Sequence, residues 1–409
     1  MIHARTGLFA LPLLFPGVAA AQTFDAGSTG ADGALTFAAD AGTIEFDPTS
    51  YEPRLDADQD NVYHFTAVTI PAGTTVRLAS RTLPEGRPVV WRVSGAVVIE
   101  GVLDLNGDDG HDWDEPFAPS VPGAGGYAGG VAQTPASPPT RGNGPGGGTA
   151  ATGFHGGPGA HRIEGGGNSL PAVAPYGNDF LLPLVGGSGG GGGGSLQAAG
   201  GGAGGGAIVI ASSTSIRITG QVRANGGNSG NRASVSFHLG GGGSGGAIRL
   251  IAPVLEGNGA LSVAGGIGSV TASYGRIRLE AFRNTSSFTI TPVQALVQPA
   301  APGLVELPPS APAIKVVRVA GVAVATSPTG SFQVPDVVID APGAVTIELE
   351  ARFVPPGTVL NLTFQPETGT PFTATSSALT GTLEQSTATA QVQFPHGPTR
   401  VFVKATWTP

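Results

Sequence analysis

The sequence predicts an all-β chain, a β-solenoid carrying glycine-rich insertions followed by a small Ig-like β-sandwich. Three observations carry that expectation. Four segments repeat one pattern of alternating strand, turn and second β-rich stretch; 68 glycines among 409 residues gather between those segments; and the C-terminal part is a series of short strand-like runs separated by turn signals. Helix signals are nearly absent.

The repeats are "VWRVSGAVVIEGVLDLNG" from Val90, "AIVIASSTSIRITGQVRANGG" from Ala207, "AIRLIAPVLEGNGALSVAGG" from Ala247 and "RIRLEAFRNTSSFTITP" from Arg276. Aligned, they place Arg92, Val209, Arg249 and Arg278 at one position, and Leu103, Val222 and Leu261 at another. Alternation sets Ile248 and Leu250, or Ile277 and Leu279, on one face and the arginines on the other. Strands this short cannot bury an apolar face alone, so the units are expected to stack on one another. An upstream run from Asn61, "NVYHFTAVTIPAGTTVRLAS", alternates in the same way and supplies the first rungs.

Each glycine-rich segment begins where the second strand of a unit ends. The three insertions span 107–206, 226–246 and 265–275. The stretch "VGGSGGGGGGSLQAAGGGAGGG" from Val185 therefore reads as an insertion within a fold, although its composition is that of a flexible tether. Glycine also permits close backbone approach and extended, polyproline-II-like segments.

The remaining divisions follow from composition. Residues 291–313 are Pro/Ala-rich without alternation and read as the linker between a solenoid domain over 22–290 and a sandwich over 314–409. At the N-terminus a short basic start, an apolar run from Leu8 to Phe15 and the alanines Ala19 to Ala21 read as a secretory signal over 1–21, leaving a mature chain from Gln22. No later stretch is long enough to span a bilayer, so no transmembrane segment is expected after signal removal. With no cysteine, disulfides and thiolate sites are excluded. A net charge of −8 argues against nucleic acid as a partner.

The units ending "VLDLNG" and "VRANGG", followed by "GGAIRLIA", resemble a broad group of uncharacterised bacterial exported proteins with Gly-rich, parallel β-helix (pectin-lyase-like) domains. The likeness spans roughly 60–290. It implies a right-handed parallel β-helix, an architecture that hosts polysaccharide lyases, hydrolases and adhesins, and it carries no catalytic residue across.

Candidate sites are few. In "DLNGDDGHDWDE", Asp104, Asn106, Asp108, Asp112 and Glu115 fall at the ligand positions of a calcium loop, but Asp109 stands where that loop needs glycine. An acidic turn is the simpler account, with calcium the one cofactor suggested. The outward arginines Arg92, Arg249 and Arg278, with Arg217 and Arg223 nearby, could present guanidinium groups to an anionic polysaccharide. A solvated strand face, paired with acids such as Glu100 or Glu280, competes with that reading. Ser188 and Ser244 match G-x-S-x-G but sit in polyglycine, without the strand-to-helix elbow of a nucleophile. His111, His155 and His161 share one insertion without metal-ligand spacing.

The sequence thus favours a non-catalytic exported structural or adhesive protein, secreted, periplasmic or at the cell surface, whose partners would be polysaccharide or cell-surface components. The alternatives are a carbohydrate-active enzyme, lyase or hydrolase, and a calcium- or glycan-binding module.

Overall fold

The structure, a computed structural model, describes residues 22–112, 114–115, 117–166, 170–230, 239–325, 328, 330, 332 and 334–406. The expected secretory signal over 1–21 lies outside the described residues. Within them the chain is all-β, with two single 3-10 turns at Pro48–Ser50 and Val293–Ala295 and no α-helix.

The first seven strands are β1 (Gly33–Thr36), β2 (Gly42–Glu45), β3 (Val62–Ile70), β4 (Thr74–Arg77), β5 (Val89–Val93), β6 (Val97–Ile99) and β7 (Val102–Asp104). After the long glycine-rich segment come β8 (Ala207–Ser212), β9 (Ser215–Ile218), β10 (Gln221–Arg223), β11 (Ala247–Glu256), β12 (Ala260–Ser262), β13 (Arg276–Asn284) and β14 (Thr289–Thr291). All pairings among these strands are parallel.

The expected right-handed parallel β-helix or β-solenoid is corrected by how these ladders connect. Strand β3 pairs with β5 through Val62–Phe65 and with β6 through Val68–Ile70, and β11 pairs with β8 through its first half and with β9 through Val254–Glu256. With β5 bonded to β8 and β6 to β9, the six strands β3-β5-β8-β11-β9-β6 form a closed parallel barrel. A separate parallel sheet runs β14-β12-β10-β7-β4-β2. Alternation shows where strands are, but not that β3 and β11 are long enough to bond two partners each, which is what closes the circuit.

The two sheets enclose one apolar core, in which Trp91, Tyr63, Phe65, Ile208, Ile248 and Ile277 meet Val76, Leu103, Val222 and Leu261. The expected row Leu103, Val222, Leu261 is in register, extended by Val76 and Ile290. The arginine row is corrected in part. Arg249 lies opposite both Val209 and Arg278, whereas Arg92 lies opposite Ala211. A slip of two residues preserves the face of every side chain, so alternation cannot detect it.

The glycine-rich segments form an ordered bundle that continues outward from the strands. Its central segments, 186–194, 198–206 and 240–246, are buried throughout. Hydrogen bonds repeat every third residue to each neighbour. The N–H groups of Gly187, Gly190 and Gly193 donate to the carbonyls of Gly205, Gly202 and Ala199; those of Gly191 and Gly194 donate to Gly157 and Phe154; those of Gly189 and Gly192 donate to Asn143 and Thr140. A period of three with extended rise is the geometry of polyproline II, in which successive groups point in three directions. Here each direction meets another chain.

Glycine is required by the close approach of those chains. A Cβ on Gly190, Gly201, Gly204 or Gly205 would strike a carbonyl oxygen of the adjacent segment far inside van der Waals contact. None of these four has the left-handed backbone that glycine otherwise serves. The expected insertion within the fold is thus rigid packing of backbone on backbone.

Residues 296–306, within the expected linker, lie along β13, which itself pairs with β11 of the barrel: Val297 donates to the Ile277 carbonyl, and Glu280 bridges to Ala300. The C-terminal strands are β15 (Ala313–Val319), β16 (Val322–Ala323), β17 (Val345–Arg352), β18 (Val359–Pro366), β19 (Phe372–Ala378), β20 (Thr380–Gly381), β21 (Ser386–Val392) and β22 (Thr399–Ala405). In place of the Ig-like arrangement expected, they pair antiparallel as a five-stranded sheet β16-β15-β17-β21-β20 and a three-stranded sheet β19-β18-β22. Ile347, Leu349, Leu360, Leu362 and Phe364 form a core shared by both sheets.

Candidate functional site

The outer face of the parallel strands carries the arginines and is largely covered. Alternation within β11 turns Ile248 and Leu250 to the core and Arg249 outward, as expected. Above that face lie Ala26, Leu181, Leu184 and Val305, so the strands are buried on both sides, as parallel sheets generally are. Arg249 is 1% exposed, with Nε 2.8 Å from a Glu280 carboxylate oxygen and its terminal nitrogens donating to the carbonyls of Val305 and Leu304. Arg278 donates to the same Glu280 oxygen at 2.7 Å and lies over the Phe180 ring. Arg92 pairs with Glu306. The segment 296–306 therefore closes over this face and engages all three arginines, Arg278 through the Gln298 carbonyl.

Arg217 and Arg223 lie elsewhere. Arg217 pairs with Glu100 at 3.3 Å on the surface, and Arg223 pairs with Asp104 at 3.3 Å beside the second parallel sheet. The five arginines expected to face a polysaccharide are thus each ion-paired within the chain and do not form one open row.

The acidic turn is held by cations of the protein itself. Asp104 faces Arg77 as well as Arg223, and Asp108 is bracketed by Arg77 at 2.6 Å and Arg81. The Asn106 side chain accepts the Asn225 N–H. Farther out, a Glu115 carboxylate oxygen accepts the Asp112 N–H at 2.9 Å and lies 3.3 Å from His111 Nδ1, which holds the Glu115 carboxyl below its ordinary range. Among the described residues no group of three or more His, Asp or Glu is placed to hold a metal ion, so Asp104, Asn106, Asp108, Asp112 and Glu115 do not converge as a calcium loop would require.

Three residues set aside at the sequence level meet inside the bundle. The Ser244 hydroxyl accepts the Ser188 N–H at 2.7 Å, and the Ser188 hydroxyl donates to Tyr176, whose own hydroxyl reaches the Gly186 carbonyl. The Tyr176 ring stacks on His161 at 4.8 Å between centroids. His161 is 1% exposed and its Nδ1 lies 2.7 Å from the Gly245 carbonyl oxygen. Burial pushes the imidazole down to about 3, against the pull of that hydrogen bond. This is a sealed cross-link between glycine segments. Polyglycine composition hides it, because only the fold brings 161, 176, 188 and 244 together.

The bundle also has a defined distal end. Going outward from β8, Ala207, Gly204 and Gly201 donate to the carbonyls of Ala124, Tyr127 and Gly130, and on the other side Gly206, Ala203 and Gly200 donate to Leu105, Asp108 and His111. The reversals near 114–115, 134–139, 150–155, 195–197 and 268–271 consequently gather at the end remote from the strands. Phe117, Phe154, Leu196 and Ile267 are exposed there. The sequence sets the root of each insertion at the end of an equivalent strand, but the shared tip follows only from the pairing.

No helix among the described residues is long and apolar enough to cross a membrane. No protein-family model, curated protein or solved structure matches this chain.

Proposed function

We propose that this is a non-catalytic structural or adhesive protein of the cell surface or the medium, a rigid glycine bundle that presents a set of loops at its distal end. The observation that carries this reading is the convergence of five chain reversals on one end of the bundle, with Phe117, Phe154, Leu196 and Ile267 exposed on them. Apolar side chains displayed together on a stiff support are the anatomy of a contact surface. The internal ion pairing of Arg92, Arg217, Arg223, Arg249 and Arg278 supports the same reading, since it leaves those groups engaged with the fold. Calcium has no part in this proposal.

The test is incubation of the mature chain, Gln22 to Pro409, with neutral and uronic-acid polysaccharides, in calcium and in chelator, with new sugar ends measured. No release is expected under any condition. Calcium-dependent release from a uronate polymer would replace this reading with a lyase.

A further inference from the structure

Two arginines are buried where the glycine bundle meets the C-terminal sheets, and one has no counter-ion. Arg141 and Arg400 are each 6% exposed. The backbone N–H of Arg141 donates to the Glu367 carbonyl, and Arg400 Nη1 donates to the Gly144 carbonyl at 3.2 Å, so both belong to the contact between the two parts of the chain. Arg400 lies over the Phe332, Tyr127 and Phe402 rings, and its Nε donates to the Gly330 carbonyl. Its Nη2 is buried without a partner.

Arg141 is the more exceptional of the two. Its guanidinium makes no hydrogen bond or ion pair with any described residue, and Nε is sealed from solvent with no acceptor. Burial and the neighbouring positive charge of Arg400 together lower it to about 10. Glu85 and Asp336 act on Arg400 but not on Arg141. Native proteins rarely bury a guanidinium without an anion, because desolvation of the charge is then uncompensated. The Nη atoms of Arg141 are not sealed as Nε is and account for part of its residual 6% exposure.

We infer that Arg141, supported by Arg400, binds an oxyanion, the shared chemistry of free sulfate or phosphate and of a uronate carboxylate on a saccharide. Guanidinium takes such groups through two parallel N–H donors, and Arg141 has that fork vacant among the described residues. The inference stands apart from the distal-end reading above, since it concerns the flank of the bundle and survives if that end binds nothing.

Isothermal titration of the mature chain tests it with three probes at matched ionic strength: sodium sulfate, sodium phosphate and trigalacturonate. Saturable binding of at least one is expected, weakened about tenfold or more by Arg141→Gln and less by Arg141→Lys, which keeps the charge and loses the fork. Tighter trigalacturonate assigns the site to a saccharide, and tighter sulfate or phosphate assigns it to the free ion. Arg278→Gln, at a guanidinium already paired with Glu280, leaves the affinity unchanged. Absence of saturable binding with all three probes, or equal affinity in Arg141→Gln, overturns the proposal.

Discussion

Arg249 of β11 and Glu280 of β13 form an ion pair 2.8 Å long in which both side chains are 2% exposed. Glu280 also accepts from Arg278 and from the Gly303 N–H, so one carboxylate ties two neighbouring strands to the segment that closes over them.

Removing one member of that pair should therefore be costly. Glu280→Gln leaves the buried Arg249 charge without a counter-ion, and a loss of about 3–5 kcal/mol is expected in urea unfolding. Replacing both residues by leucine should recover much of that loss, because no charge is then left unpaired. A Glu280→Gln protein as stable as the parent would show that the face opens to water.

The bundle predicts an unusual sensitivity to single methyl groups. Gly204→Ala directs a Cβ onto the Gly187 carbonyl oxygen, and a destabilisation of about 1–3 kcal/mol or more is expected from overpacking alone. Gly343→Ala is the matched control, since nothing lies within 4 Å of its added Cβ, and it should stay within about 0.5 kcal/mol. Melting temperatures of the two variants decide the matter. Equal values would mean that the glycine segments are loosely held.

His161 should give the protein an acid-sensitive term. Its folded-state value of about 3 lies below the ordinary histidine value of 6.5, so between those limits the unfolded chain binds the extra proton. Stability from this group is complete above about pH 6.5 and is lost as pH falls toward 3, amounting to about 2–3 kcal/mol by pH 4.5. His161→Phe keeps a ring against Tyr176 and removes the titration. Unfolding free energy measured from pH 7 to 4.5 should fall less steeply in that variant than in the parent.

Much of the local structure was legible because alternation and burial are tied together. Ile248, Leu250, Ile277 and Leu279 face the core, and Leu103, Val222 and Leu261 share a row, as their spacing requires. The candidate site was less legible. Arg249 carries the alternation of an outward residue, yet "outward" turned out to mean beneath residues 296–306, a segment whose composition resembles a linker. Arg141 carried no signal, since its surroundings are set by the fold, with Arg400, more than 250 residues away, among them.

By itself the sequence determined that this chain is β-rich, which side chains face inward, and that its glycines interrupt strands at equivalent points. Those properties are periodic or compositional, and each is set within a few residues. Tertiary structure decided that β3 and β11 close a barrel, that glycine segments pack as an ordered bundle with one distal end, and which charges find partners. Glycine has no side chain with which to announce its neighbour. Its contacts are made by backbone groups that every residue possesses, so only the assembled chains specify which carbonyl meets which N–H.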